Sequence, residues 1–225
     1  LFVIASLGSA NADELNPSKT LDYTDIFNIE YAASPRVSPN GEQLIYERRS
    51  MDVMTDSTRT NLWQIDLGSG AQTPLFSGKS NYRMARYSPD GERVAYLSSF
   101  EGDNQLYVRW LKSGVSARIT NVEKSPSNIS WSPDGKWIAF SMFKPQKANS
   151  IFKDMPSKPK GAKWAGKAKY IDQMSYRSDG RGFVKPGFSH IYVVPSSGGT
   201  PRQVTKGDYH HGGKIAWSKD GQSIF

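Results

Sequence analysis

Cysteine is absent from this sequence, and histidine occurs only three times in 225 residues. The chain therefore cannot form a disulfide framework or a cysteine-based metal site. A phosphate-binding loop and a Gly-rich dinucleotide fingerprint are also missing. We therefore predict no cofactor and no metal, while the lack of cysteine leaves the redox state of the compartment open.

The sequence also lacks a recognisable nucleophile motif. Gly-x-Ser triplets occur at 78–80, 114–116 and 187–189, but none is followed by the second glycine of a Gly-x-Ser-x-Gly nucleophile elbow. None is predicted to lie between a parallel strand and a helix, which is where such an elbow belongs. We therefore assign no catalytic residue to this chain.

The three histidines are His190, His210 and His211. A metal site formed by His210, His211 and Asp208 is conceivable, but adjacent histidines point to different sides and the spacing matches no standard ligand set. We expect hydrogen-bonding or turn roles for these residues, and assign no metal-binding or cofactor-binding residue.

One short phrase occurs four times along the chain. It reads VSPNGEQLIYE at 37–47, YSPDGERVAYLS at 87–98, WSPDGKWIAFS at 131–141 and WSKDGQSIF at 217–225. Its core, Ser-Pro-Asp-Gly in the second and third copies, Ser-Pro-Asn-Gly in the first and Ser-Lys-Asp-Gly in the fourth, favours a tight turn. Proline fixes φ at the second position, and glycine accepts the positive φ common at the fourth. Alternation then places Ile138 and Phe140 on one face and Trp137 and Ala139 on the other, so each phrase predicts a β-hairpin.

A second phrase lies between these turns. It reads NLWQIDLGSGAQTPLF from 61, QLYVRWLKSGVSARIT from 105 and HIYVVPSSGGTPRQVT from 190, each predicting a strand, a Gly/Ser turn and a short strand. The serines of successive Ser-Pro-Asp-Gly turns are 50, 44 and 86 residues apart. The third unit therefore carries roughly 40 extra residues between its second and third strands.

A period in the forties with four strands per unit is typical of β-propeller blades, which bury apolar residues between neighbours. We predict an all-β fold over 13–225: a partial β-propeller of three blades plus the start of a fourth, with a long basic insertion at about 142–189 in the third blade. A β-sandwich is the alternative, although sandwiches seldom repeat their sequence with a fixed period. Because propellers close with about four to eight blades, we expect the chain to be a fragment of a longer protein.

The first residues, LFVIASLGSANADE, form an apolar run followed by Ala10-Asn11-Ala12. This pattern is typical of the apolar region and cleavage site of a secretory signal peptide, so residues 1–12 are interpreted as a signal-peptide remnant. The run is too short to span a bilayer, and no membrane span is predicted. We expect export to a bacterial periplasm, with secretion outside the cell as the alternative.

The net charge of +8 is concentrated in the insertion. Segment 144–169 contains eight lysines and one acid, Asp154, a net of +7 that leaves +1 for the rest of the chain. Its Lys, Pro, Gly and Ala content predicts a solvated loop with little regular structure. Trp164 and Tyr170 could stack on bases, but the segment has no arginine and no recognisable nucleic-acid module, so we predict no nucleic-acid partner.

Several segments resemble a known family. LDYTDIFNIEYAASPRVSPNGEQLIYERRS, NLWQIDL, WSPDGKWIAFSMF, YRSDGRGF and HIYVVPSSGGTPRQVTKGDYHHGG are similar to the N-terminal propeller of the prolyl oligopeptidase family of serine peptidases, in its bacterial acylaminoacyl-peptidase and dipeptidyl-peptidase-like branch. The resemblance runs from about 21 to 225. It implies that YRSDG, at 176–180, is a hairpin inside the insertion and not a further blade turn.

The resemblance also implies what lies outside this chain. A complete propeller would be followed by an α/β-hydrolase domain whose Ser-Asp-His triad hydrolyses short peptides, with the propeller limiting access to the active site. No position of this sequence matches the triad motif. Two alternatives remain open: a non-catalytic TolB-like propeller that binds envelope proteins, and a propeller preceding a metal-dependent amidohydrolase. No oligomeric state is predicted.

Overall fold

The computed structural model describes residues 20, 22–148, 156–166, 169–180 and 182–225. The predicted signal-peptide remnant, 1–12, lies outside the described residues. A short 3₁₀ helix, Tyr23–Asn28, precedes a succession of β-strands. The strands are β1 (Glu30–Val37), β2 (Gln43–Asp52), β3 (Ser57–Asp66), β4 (Gln72–Phe76), β5 (Tyr82–Tyr87), β6 (Arg93–Ser98), β7 (Gln105–Trp110), β8 (Ser116–Arg118), β9 (Ser127–Trp131), β10 (Trp137–Pro145), β11 (Arg177–Ser178), β12 (Gly182–Phe183), β13 (Gly187–Pro195) and β14 (Arg202–Gln203).

Most of these strands form three four-stranded antiparallel sheets. Their orders are β1-β2-β3-β4, β5-β6-β7-β8 and β9-β10-β13-β14, and β11 pairs with β12 in a separate hairpin. An isolated bridge between Trp217 and Ile224 marks the fourth repeat. The architecture confirms the predicted all-β fold, and the β11–β12 hairpin confirms that YRSDG turns back inside the insertion.

The insertion leaves the third sheet between its second and third strands, as the spacing predicts. The β10–β13 ladder continues outward to the pair Pro145 and Gly187. The insertion therefore spans 146–186, a few residues less at each end than the 142–189 expected from sequence, because both strands keep pairing past the repeated phrase. Gly187 is required at this point, since a Cβ atom there would lie 2.3 Å from the carbonyl oxygen of Lys144.

Each repeated turn is closed by the same set of hydrogen bonds. In the third turn the amide of Gly135 donates to the carbonyl of Ser132 at 2.9 Å. The Ser132 hydroxyl donates to Asp134 Oδ1 at 2.6 Å and accepts from the amide of Trp137 at 2.9 Å. Asp134 Oδ1 also accepts from the amide of Lys136 at 3.1 Å. The other three turns repeat this arrangement, so the motif forms a β-hairpin turn in every unit.

The middle sheet is buried on both faces. Ala95 and Leu97 enter the apolar core shared with the third sheet, while their neighbours Val94 and Tyr96 enter the core shared with the first sheet. Period-two alternation therefore sends consecutive residues into two different cores. In β10, Ile138 and Phe140 enter the core shared with the second sheet, and Ala139 and Ser141 on the opposite face are also buried.

Polar contacts also cross between neighbouring sheets. Trp131, just before the third turn, donates its Nε1 hydrogen to the carbonyl of Arg86 in the second sheet at 3.0 Å, and Trp217 donates in the same way to Ser130 at 3.3 Å. The guanidinium of Arg93 lies 4.9 Å from the ring centroid of Trp131. These contacts fix the third sheet against the second and the fourth repeat against the third.

The first strand of each sheet contains a β-bulge that no pattern in the sequence indicates. Each is interrupted by a register shift next to a residue with positive φ: Ser34 at 53°, Met84 at 57° and Asn128 at 52°. Each of these residues precedes its turn serine by four positions. A β-bulge of this kind increases local twist and frees backbone groups from the ladder.

Candidate functional site at the base and surface of the insertion

The insertion emerges at the end of the third sheet that lies opposite the Ser-Pro-Asp-Gly turn. β10 begins at that turn, with Trp137, and ends at Pro145, where the insertion starts. The segment that joins β14 to the fourth repeat, 204–213 and called the linker below, contacts this same end of the sheet. The base of the insertion is therefore formed by two strand ends and one linker.

Hydrogen bonds hold the linker against the strand ends. The amide of His211 donates to the carbonyl of Ser189 at 2.8 Å, and the amide of Ser189 donates to His210 Nδ1 at 3.1 Å. On the β10 side, Gln146 Nε2 donates to Asp208 Oδ1 at 2.9 Å. These contacts come from both strand ends, so the linker is held to β10 and to β13.

All three histidines meet at this base. The ring of His190 is 5.4 Å from that of His211, which lies 4.5 Å from the ring of Tyr209. The ring of His210 packs edge-on against Phe188 at 5.4 Å. The hydrogen-bonding roles expected from sequence are those observed, but their gathering around one strand end was not predicted.

The electrostatics of the base favour a neutral His190. The side chain is only 4% exposed, and burial is the main cause that lowers its pKa below the ordinary 6.5. The nearby His211 and Lys144 lower the pKa further, while Asp208 acts in the opposite direction. No group of three or more metal-ligating side chains occurs among the described residues.

A groove of about 220 Å³ lies beside the histidines, between the third sheet and the fourth repeat. Its lining includes the polar side chains of Ser141, Thr205, His211 and Lys214. Ile191 adds an apolar wall. Polar and apolar contacts are therefore available next to the point where the insertion begins.

The described surface of the insertion is both basic and apolar. Its exposed large apolar side chains are Trp164, Tyr170, Ile171, Met174, Tyr176, Phe183 and Val184. Its exposed lysines include Lys158, Lys160, Lys163, Lys169 and Lys185. None of these lysines forms an ion pair with another described residue. This combination of clustered lysines and open apolar area is typical of an interaction surface.

One cluster on this surface has defined geometry. Lys169 Nζ lies 3.6 Å from the centroid of the Phe183 ring, a cation–π contact. The ring of Tyr176 lies 6.4 Å from that of Phe183 across the β11–β12 hairpin. The ammonium is thereby placed over an aromatic pair, an arrangement that sequence spacing alone could not indicate because Lys169 and Phe183 are distant along the chain.

The Gly-x-Ser triplets lie in unrelated places. The triplet at 78–80 is in the connection between β4 and β5, the triplet at 114–116 runs from the β7–β8 turn into β8, and the triplet at 187–189 begins β13. Each adjoins antiparallel strands, and in the described part of the chain none precedes a helix. Within that part, no helix is long and apolar enough to cross a membrane.

Comparison with known proteins places these features in a family. Residues 19–168 match the model of the PD40 family, the TolB beta propeller domain. The chain is 25% identical over 205 residues to the uncharacterized peptidase YuxL of Bacillus subtilis strain 168, which aligns 91% of this chain with 30% of YuxL. It is 28% identical over 106 residues to dipeptidyl-peptidase 5 of Porphyromonas endodontalis, covering 47% of this chain and 15% of that protein. The chain thus spans less than a third of the length of these relatives.

Solved structures show the same fold at low identity. An acylaminoacyl peptidase in complex with Z-Gly-Gly-Phe-chloromethyl ketone superposes with a TM-score of 0.64 at 17% identity, over 90% of this chain and 28% of the other. The uncomplexed Pyrococcus horikoshii acylaminoacyl peptidase gives 0.60 at 16% identity, over 88% and 28%. Since the family model covers more than half of the sequence and the three meander sheets have the architecture it describes, the chain belongs to the TolB β-propeller domain family, and its relatives include peptidases.

Proposed function

We propose that this chain is the propeller portion of a periplasmic or secreted serine peptidase. One observation carries the proposal: 91% of the chain aligns with only 30% of a relative that is named as a peptidase. The remainder of such a protein has room for a catalytic domain, and the proposal places the Ser-His-Asp acyl transfer there. The chain itself would be non-catalytic, and export would be directed by the apolar run at 1–12.

The contribution of this chain would be control of substrate access. The insertion stands on a ladder of nine residue pairs between β10 and β13 and is fixed by the histidine-containing linker. A firmly held base lowers the ordering cost of placing a surface loop when substrate arrives. The insertion would admit short peptides and exclude folded proteins. By covering the reaction site it would also keep bulk water away from it.

Labelling of the intact protein tests the peptidase assignment. We expect a fluorophosphonate probe to label a serine outside this chain. We also expect the exported protein, isolated from its natural host, to hydrolyse short peptides. An unlabelled protein that hydrolyses no peptide but retains envelope proteins would instead identify a non-catalytic TolB-like binding propeller. A protein found only in the cytoplasmic fraction would contradict the proposed export.

Deletion of the insertion tests the role in access. Because Pro145 and Gly187 are cross-strand partners, residues 146–186 can be replaced by a two-residue Asn-Gly turn that suits a hairpin. We expect the variant to accept longer peptides and to change its rate on short ones. An unchanged length limit together with an unchanged rate, in a variant whose melting temperature shows that it is folded, would rule out gating by the insertion.

A further inference from the structure

We propose that the described surface of the insertion binds peptides that carry carboxylates next to apolar side chains. A role of this binding in selecting substrates rests on the proposed peptidase function. The binding itself does not depend on that function. The surface is centred on Lys169, Phe183 and Tyr176 and extends to Lys160 and Lys163.

Charge complementarity identifies the anionic part of the ligand. Segment 144–169 carries a net charge of +7, while the rest of the chain carries only +1. Among the described residues, no lysine of this segment forms an ion pair with a carboxylate. A concentrated field of one sign raises the local concentration of oppositely charged ligands and accelerates their encounter.

Open aromatic area identifies the apolar part. Met174 is 99% exposed, and Tyr176 and Phe183 are each close to half exposed. The rings of Tyr176 and Phe183 adjoin, with centroids 6.4 Å apart, and adjoining open apolar side chains are typical of a surface that meets a partner. Aromatic rings bind apolar side chains with little loss of conformational entropy, because they have only two rotatable bonds.

The Lys169–Phe183 contact joins these two properties at one point. With its ammonium 3.6 Å from the ring centroid, Lys169 has donors left for a carboxylate, since an ammonium carries three. A peptide carboxylate bound there would place the adjoining side chain over the aromatic pair. The two strands of the hairpin, Arg177–Ser178 and Gly182–Phe183, are each two residues long. The hairpin is therefore long enough to contact only a few residues of a bound peptide.

The described backbone of the insertion disfavours a lipid surface as the partner. Binding to a lipid surface commonly uses a long amphipathic helix. The described residues of the insertion form a short hairpin and irregular backbone, with no helix.

The test uses the intact protein and matched labelled peptides. One hexapeptide alternates glutamate with leucine, and its partner has glutamine in place of glutamate. Binding is measured by fluorescence anisotropy after a covalent serine inhibitor has been added to prevent turnover. We expect the glutamate peptide to bind more tightly, and its advantage to shrink as the salt concentration rises from about 50 mM to about 300 mM.

Variants locate the binding. Lys169→Gln should weaken glutamate-peptide binding about two- to five-fold, the range of one exposed charge pair, and Lys169→Arg should restore it. A triple change at Lys160, Lys163 and Lys169 to glutamine should weaken it further. The control is Lys136→Gln, because Lys136 is exposed on the opposite end of the sheet.

The outcomes separate this inference from the proposed function. Equal binding of the two peptides, or equal losses in Lys169→Gln and Lys136→Gln, would overturn the inference even if the protein hydrolyses neutral peptides. Selective glutamate-peptide binding without hydrolysis would uphold it while the peptidase proposal fails. The protein could instead bind anionic phospholipid vesicles more tightly than the glutamate peptide and lose this binding in Lys169→Gln. That result would assign the surface to a membrane and overturn the inference.

Discussion

Pro89 of the second repeated turn lies against Gly135 of the third: the Pro89 Cδ atom is 3.6 Å from the position that a Cβ atom would occupy on Gly135. The same contact recurs between Pro39 and Gly91 at 3.5 Å and between Pro133 and Gly221 at 3.6 Å. The proline of one turn therefore contacts the glycine of the next. The repeated phrase specifies a local turn and also the contact through which successive sheets stack.

Substitution of Gly135 by alanine is expected to lower the stability of the protein. Gly135 has φ of 66°, where a Cβ atom costs about 1–2 kcal/mol, and that atom would lie 3.0 Å from Arg93 Nη2. Gly70→Ala is the control, because Gly70 has φ of 73° with nothing within 4 Å. The melting temperature of G135A should fall below that of G70A; equal values would show that the contact between turns contributes nothing.

Removal of the Ser132 hydroxyl is expected to destabilise the third turn. Ser132 is 1% exposed, and its oxygen accepts the amide of Trp137 at 2.9 Å. Ser132→Ala leaves this N–H without a partner, at a cost of about 1–3 kcal/mol. Chemical denaturation followed by tryptophan fluorescence measures the loss, with exposed Ser197→Ala as the control. Equal midpoints in the two variants would contradict the prediction.

Loss of the Glu47 carboxylate is expected to weaken the contact between the first two sheets. Glu47 is 2% exposed, and it accepts the amide of Met84 at 2.9 Å and the guanidinium of Arg49 at 2.6 Å. Glu47→Ala should cost about 1–3 kcal/mol, because it leaves the bulge amide unsatisfied. Glu47→Gln should cost less, since its amide oxygen can still accept that hydrogen.

Exposed Glu42→Ala provides the comparison for both Glu47 variants. Hydrogen exchange of the Met84 amide gives a local readout: protection should be lost in Glu47→Ala and kept in Glu42→Ala. Undiminished protection in Glu47→Ala would show that the carboxylate does not hold the bulge.

Acidification is expected to destabilise the base of the insertion through His190. Because the pKa of His190 is lowered in the folded protein, the unfolded chain binds more protons as the pH falls below about 6.5. Stability should therefore be full above this pH and decline below it. The facing groups are His210, His211 and Lys144, which oppose protonation, and Asp208, which favours it.

Melting temperatures at pH 7.5, 6.5 and 5.5 (about one unit apart, to span the titration) measure this dependence. His190→Gln should lose less stability on acidification than the natural protein, whereas Tyr209→Phe, in the exposed part of the linker, should lose as much. An identical pH profile in His190→Gln would show that another group controls the acid sensitivity.

Features that depend on neighbouring residues were predictable from the sequence. The turns at Ser88 and Ser132 were predictable because proline and glycine restrict or permit φ through local sterics. The hairpin inside the insertion was predicted from its resemblance to a family, and β11 and β12 confirm it. The end of β10 was placed too early, since pairing as far as Pro145 depends on a partner strand more than 40 residues away.

Features formed between distant segments could not be predicted. Met84 has no local preference for positive φ, and its amide is bound by Glu47 from another sheet. The clustering of His190 with the linker and the position of Lys169 over Phe183 likewise depend on how separate segments meet. The sequence by itself determined where the chain turns, how its strands alternate and where its charge is concentrated, because these follow from each residue and its neighbours. Only the tertiary structure decided which faces became buried, which backbone groups were freed in the bulges and which side chains met at the insertion, because those outcomes depend on contacts between residues far apart in the chain.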